Sequence, residues 1–139
     1  MNIPFSPPDI TEAEINEVAE ALRSGWITTG PRTKELEKRL SEYCHTSKTV
    51  CLNSATAAEE LNFRICGIGD GDEVIVPAYT YTATASAAIH CGAKVVFVDS
   101  QKDSTEMDYD KVAAAITERT KAIVAVDLAG IVADYDRLY

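Results

Sequence analysis

Four short stretches of this 139-residue sequence place small hydroxyls, aromatic rings and acids side by side: Asn53-Ser54-Ala55-Thr56, Tyr79-Thr80-Tyr81, Asp99-Ser100 and Asp127-Leu128-Ala129-Gly130. The first leads from an apolar triplet directly into a helical pattern. A helix start leaves N–H groups without intrahelical acceptors, and its dipole favours an anion. Ser54, Ala55 and Thr56 therefore form a candidate phosphate turn, although Ser54 or Thr56 capping its own helix accounts for the same residues. Tyr79 and Tyr81 follow Pro77, and either ring could lie against a planar ligand; packing at the rim of a sheet is the competing reading. The run Gly67-Ile68-Gly69-Asp70-Gly71-Asp72 lacks the last glycine of G-x-G-x-x-G and precedes an apolar run, so it reads as a helix end and tight turn.

Several other chemistries are excluded early. Cys44, Cys51, Cys66 and Cys91 are widely spaced, with no C-x-x-C and only His45 and His90 to complete a ligand set, so no metal is expected and most of the cysteines read as small core residues. Lys and Arg total 13 against 22 Asp and Glu, a net charge of -9, which opposes binding to nucleic acid. Met1 to Ile10 has neither a basic region nor a long apolar run, and no stretch approaches the ~18 apolar residues of a membrane span. No secretory leader and no membrane association are expected, and a reducing cytoplasm fits.

The four stretches matter only if the chain gathers them. Thr11-Glu12-Ala13-Glu14 has the capping-box pattern and predicts a helix with Ile15, Val18, Ala19 and Leu22 on its apolar face, closed by Gly25. A second helix is predicted with Leu36, Leu40, Tyr43 and Cys44 as a buried stripe. From Thr49 onward, apolar runs at Val50–Leu52, Val74–Val76, Val95–Val98 and Ala122–Val126 alternate with helical patterns. The helical stripes are Ala57, Leu61 and Ile65, then Ala83 to Ile89, then Val112, Ala115 and Ile116 after an Asp108 cap. This alternation predicts an α/β fold with a mostly parallel sheet in the order βαβαβαβ, with no domain boundary inside residues 1–139. Ligands of such sheets bind beyond the carboxyl ends of the strands, and all four stretches fall there. Lys48, Asp72-Glu73, Lys94 and Lys121 precede the runs and belong to the opposite edge.

Taken in order, the segments Ser24-Gly25-Trp26-Ile27-Thr28-Thr29-Gly30-Pro31, Asn53 to Ala58, Gly69 to Pro77, Thr80-Tyr81, Gly92-Ala93, Phe97-Val98-Asp99 and Thr120 to Ile123 resemble the DegT-type nucleotide-sugar aminotransferases. These are fold-type-I, aspartate-aminotransferase-like enzymes dependent on pyridoxal 5'-phosphate (PLP). The resemblance implies a three-layer αβα fold, with this chain as the N-terminal part of the PLP-binding large domain. It implies that Ser54, Ala55 and Thr56 hold the PLP phosphate and that Tyr81, rather than Tyr79, stacks on the pyridine ring. Trp26, Thr28, Thr29 and Gly30 match a loop lining the sugar-nucleotide pocket near a homodimer interface. Asp127 stands on a strand-end loop where many relatives carry histidine, and the resemblance gives it no role. Glu59 and Asn62 are more polar than the family pattern on their helix. The implied reaction moves an amino group, typically from glutamate, to a keto sugar on a nucleotide. The Schiff-base lysine and the acid that pairs with the pyridinium nitrogen correspond to positions beyond Tyr139, so no catalytic residue is expected within these residues, and a non-catalytic α/β module or dimerisation remnant is the alternative. Lys48, Lys94 and Lys121, placed at strand beginnings, are poor substitutes.

Overall fold

The computed structural model describes residues 6–139, so the leader reading at Met1–Ile10 lies partly outside them. The chain forms two compact units, Met1–Cys51 and Leu52–Tyr139. In the first, α1 (Glu12–Ser24) begins as its caps predict: the Thr11 hydroxyl accepts from Ala13 N–H at 3.2 Å and the Glu14 carboxylate accepts from Thr11 N–H at 2.6 Å. Gly25 closes it at φ 77°, where a side chain would be strained. Helix α2 (Pro31–Tyr43) starts with proline at its first position, where the missing N–H costs nothing.

Two expectations fail in this unit. Leu36, Leu40, Tyr43 and Cys44 are exposed, not a buried stripe. Helical spacing decides which face can be buried, while burial itself takes a neighbour to close over it. Val50–Leu52 is not a strand: Val50 and Leu52 are exposed, and Cys51 N–H donates to the Glu37 carboxylate of α2 at 2.9 Å. An apolar triplet becomes a strand only when a ladder partner takes its backbone groups.

The second unit runs α3 (Ala55–Ile65), β1 (Glu73–Pro77), α4 (Thr82–His90), β2 (Lys94–Val98), α5 (Tyr109–Ala115), β3 (Thr120–Ile123), a 3-10 turn at Leu128–Gly130, and α6 (Tyr135–Leu138). The three strands are parallel in the order β2-β1-β3, with Glu73 opposite both Lys94 and Thr120. Every residue of β1 is buried, as a strand covered on both faces requires. Val74 and Val76 pack with Phe63 of α3 and Ala85 and Ala88 of α4, while Ile75 packs on the other side with Val98, Met107 and Val112. The result is a parallel sheet with helices on both faces, the αβα arrangement expected. Cutting Ile75 to alanine would cost about 2–5 kcal/mol.

The helices also fix the polarity of the unit. The Cys91 thiol lies 3.6 Å from the Glu60 carbonyl and Arg64 Nη2 donates to the His90 carbonyl at 3.2 Å, so the latter part of α3 adjoins the carboxyl end of α4. Both helices run against the strands, and both amino ends lie at the carboxyl edge of the sheet. Cys44, Cys66 and Cys91 each occupy a helix C-cap, and no cysteine is fully buried. Cys91 packs against the core from its partly buried cap, whereas Cys44 and Cys66 are exposed, which corrects the assignment of most cysteines to the core: a C-cap is where the chain leaves the helix for the surface. The turn after α3 is structural, as expected, with Gly67 at φ 72° and Asp72 accepting from Gly69 N–H at 3.0 Å.

Candidate active site

Ser54 caps α3 from an extended backbone, its Oγ accepting Ala57 N–H at 3.1 Å. That bond uses the oxygen and leaves the hydroxyl proton free to donate. Among the described residues, Ala55 N–H and Thr56 N–H have no acceptor, and the first turn of α3 carries no acid. Two backbone donors and one hydroxyl thus converge where the helix dipole is positive, a donor set that fits a phosphate. Capping and anion binding were alternatives for Ser54 in sequence terms; the geometry allows one residue to do both.

Tyr81 is the N-cap residue of the neighbouring helix α4 and makes no capping bond with its side chain. The residue is 80% exposed, against 60% for Tyr79, at the same sheet edge as Ser54. A free aromatic face at the same edge as an anion cradle fits a flat ring carrying a phosphate. Asp99 also stands at this edge. Its carboxyl is held below the usual range by Ser100 N–H at 2.9 Å and then by Lys111 Nζ at 3.4 Å.

Trp26, Thr28 and Gly30 line a small hollow in the first unit with Arg32, which pairs with Glu17; Thr29 does not line it. A Cβ at Gly30 would lie 3.0 Å from the Trp26 ring, so the indole rests on bare backbone. These residues and the Ser54–Tyr81 edge belong to different units.

Two functional groups were missed in the sequence. Lys111, on α5, reaches the carboxyl end of β2 and lies 3.4 Å from Asp99 and 3.6 Å from Asp108, so its charge is committed to two carboxylates. Its place three residues after a predicted N-cap gave no sign of this. Glu73 is only 2% exposed at the amino edge, accepting from Thr117 Oγ1 at 2.7 Å, Arg119 Nη2 at 2.8 Å and Lys94 Nζ at 3.0 Å. These bonds, Thr117 and Arg119 foremost, bring its carboxyl from 4.5 down to about 2. Lys94 is thereby bound on the edge away from Tyr81, and Lys121 is exposed on β3; Lys48 precedes no strand.

The sequence model of the DegT/DnrJ/EryC1/StrS aminotransferase family matches residues 8–139. The chain is 44% identical over 137 residues to the UDP-4-amino-4-deoxy-L-arabinose–oxoglutarate aminotransferase of Shewanella sediminis, covering 99% of this chain and 35% of that protein. It is 41% identical over 136 residues to the spore coat polysaccharide biosynthesis protein SpsC of Bacillus subtilis, covering 98% and 35%. Among solved structures, Spr1654 of Streptococcus pneumoniae, assigned as a sugar aminotransferase and known in PLP, PMP and apo forms, superposes with a TM-score of 0.92 at 69% identity, covering 99% of this chain and 35% of that one. The chain thus spans about 35% of the length of these relatives.

Proposed function

The chain belongs to the DegT/DnrJ/EryC1/StrS aminotransferase family, and on that footing we propose that it supplies the phosphate cradle and aromatic face of a PLP site in a sugar aminotransferase. The observation that carries this reading is the pairing, at one sheet edge, of the free Ala55 and Thr56 N–H groups with the exposed Tyr81 ring. Ser54 donates its remaining proton to the phosphate, Ala55 and Thr56 donate from the backbone, and Tyr81 covers one face of the ring. When bound, the cofactor supplies the electron sink for amino transfer. The substrate is a nucleotide-linked keto sugar, the donor glutamate, and Trp26, Thr28, Thr29 and Gly30 line the sugar-nucleotide pocket. In this reading residues 1–139 are one continuous part of the large domain of a cytoplasmic homodimer, with the anchoring lysine and the pyridinium-paired acid supplied by residues outside these 139.

The test uses the gene product as encoded, stripped of cofactor. Titrated with pyridoxamine 5'-phosphate (PMP), it is expected to bind far more tightly than it binds inorganic phosphate, and the PMP form is expected to aminate a nucleotide-linked keto sugar. Tyr81→Ala is expected to weaken PMP binding about tenfold, the order of a lost ring contact. Equal affinity for PMP and phosphate, with no amino sugar formed, overturns the proposal. The positions of Lys94 and Lys111 favour the second reading, a non-catalytic α/β module, for the 139 residues taken alone.

A further inference from the structure

The residues after β3 are gripped from two sides, and the grip leads back to Tyr81. Asp127 Oδ1 accepts Ala133 N–H at 3.0 Å, and the Tyr135 hydroxyl lies 3.3 Å and 3.4 Å from its two oxygens. Tyr109, buried at the start of α5, accepts Asp134 N–H at 2.6 Å and donates its hydroxyl proton to Glu106 at 2.9 Å. The Arg137 guanidinium covers the Tyr109 ring, 5.0 Å from its centroid, and is itself fixed to Asp110 at 2.7 Å. Two consecutive N–H groups, those of Ala133 and Asp134, are therefore held by side chains from different elements. Ala133 is buried and, with Met107, lines a small cavity against Pro77 and Tyr79. Pro77 to Tyr81 is the turn that carries β1 into α4, tied by Ala78 N–H to the Val98 carbonyl at 2.8 Å and by Thr80 to Thr84 at 2.9 Å.

We propose that Asp127 and Tyr109 are positioning residues for the cofactor face: by pinning Ala133 and Asp134 they fix the floor beneath Pro77 and Tyr79, and so set the attitude of the Tyr81 ring. They act through Ala133 and touch no ligand. Asp127 turns its carboxylate on residues that follow it, Ala133 and Tyr135, which gives a role to a residue that family resemblance left without one. The proposal rests on the reading of Tyr81 given above, and two probes separate the two. PMP engages both the Ser54 turn and the Tyr81 ring, whereas inorganic phosphate engages the turn alone.

In the gene product as encoded and freed of cofactor, Tyr109→Phe and Asp127→Ala are each expected to raise the PMP Kd about tenfold, the scale of one lost hydrogen bond, with the phosphate Kd changed less than about twofold. Asp127→Asn keeps an oxygen for Ala133 N–H and is expected to restore PMP affinity to within about twofold. Amide exchange at Ala133 and Asp134 is expected to quicken in Tyr109→Phe and Asp127→Ala and to stay slow in Asp127→Asn. Unchanged PMP affinity in both loop variants, with Tyr81→Ala still weakening it, overturns the positioning role and leaves the cofactor site standing. Phosphate affinity falling in step with PMP affinity overturns it as well, because the grip would then serve the unit as a whole. If Tyr81→Ala itself leaves PMP affinity unchanged, the ring contact and the positioning role fall together. Should Tyr109→Phe not fold, the contrast between Asp127→Ala and Asp127→Asn carries the test.

Discussion

At the amino edge of the sheet, Glu73 gathers Thr117, Arg119 and Lys94 around one buried carboxylate. Its pKa falls from 4.5 to about 2, so folding favours the ionised form. A carboxylate depressed in the folded state contributes stability that is full above its unfolded value and lost as the pH falls through its folded one. The advantage of the native protein over Glu73→Gln is therefore expected to be full above about pH 4.5 and to shrink toward pH 2, as read by urea denaturation across that range; an advantage independent of pH would refute the linkage. Gly30 gives a second prediction. Its backbone is extended, at φ -161°, so alanine brings no backbone strain, but the new Cβ would press on Trp26. Gly30→Ala is expected to change stability by less than about 1 kcal/mol while shifting tryptophan emission and, on the function proposed above, raising KM for the nucleotide-linked sugar. An unshifted emission spectrum would show that the indole does not rest there. In the sequence Glu73 was legible only as an acid before an apolar run, because its partners come from two other strand starts far along the chain.

Helix α3 separates stability from binding more cleanly than any single contact. Ser54→Ala removes the oxygen that accepts Ala57 N–H and is expected to cost about 1 kcal/mol in denaturant unfolding. Ser54→Asp keeps a capping acceptor but sets a negative charge beside the position proposed for the phosphate. It is expected to retain stability and lose phosphate and PMP binding; tight PMP binding by Ser54→Asp would remove the cradle from this turn. Elements with local determinants were readable in advance. Thr11 with Glu14, Gly25, Ser54 and Asp108 all bound helices as their residue types suggest, since a cap is satisfied within a few residues. Strands were less legible. Val50–Leu52 is apolar yet unpaired, and the run expected at Ala122–Val126 pairs instead over Thr120–Ile123, since β1 sets where its neighbour can bond. The Ser54 turn and Tyr81 could be proposed from one sequence, but the grip of Tyr109 on Asp134 spans 25 residues and left no local trace.

For the molecule as a whole, the placement of lysines decides what these 139 residues can do. Lys94 is held by Glu73 on the edge away from Tyr81, and Lys111 is held by Asp99 and Asp108. Offered PLP, glutamate and a nucleotide-linked keto sugar, the isolated 139-residue chain is expected to form no amino sugar. Borohydride reduction and peptide mapping are expected to find label spread over exposed lysines such as Lys34 and Lys102. One lysine labelled stoichiometrically, together with turnover, would place a catalytic lysine inside this chain. The sheet order has a further consequence during synthesis. The central strand leaves the ribosome before either neighbour, and the Arg119 partner of Glu73 follows 46 residues later. At about 5–20 residues per second, that interval lasts roughly 2–9 seconds. Until Lys94 follows, 21 residues after Glu73, Val74-Ile75-Val76 has no strand partner and Glu73 no cation, making it the segment on which a ribosome-associated chaperone has most to gain by waiting.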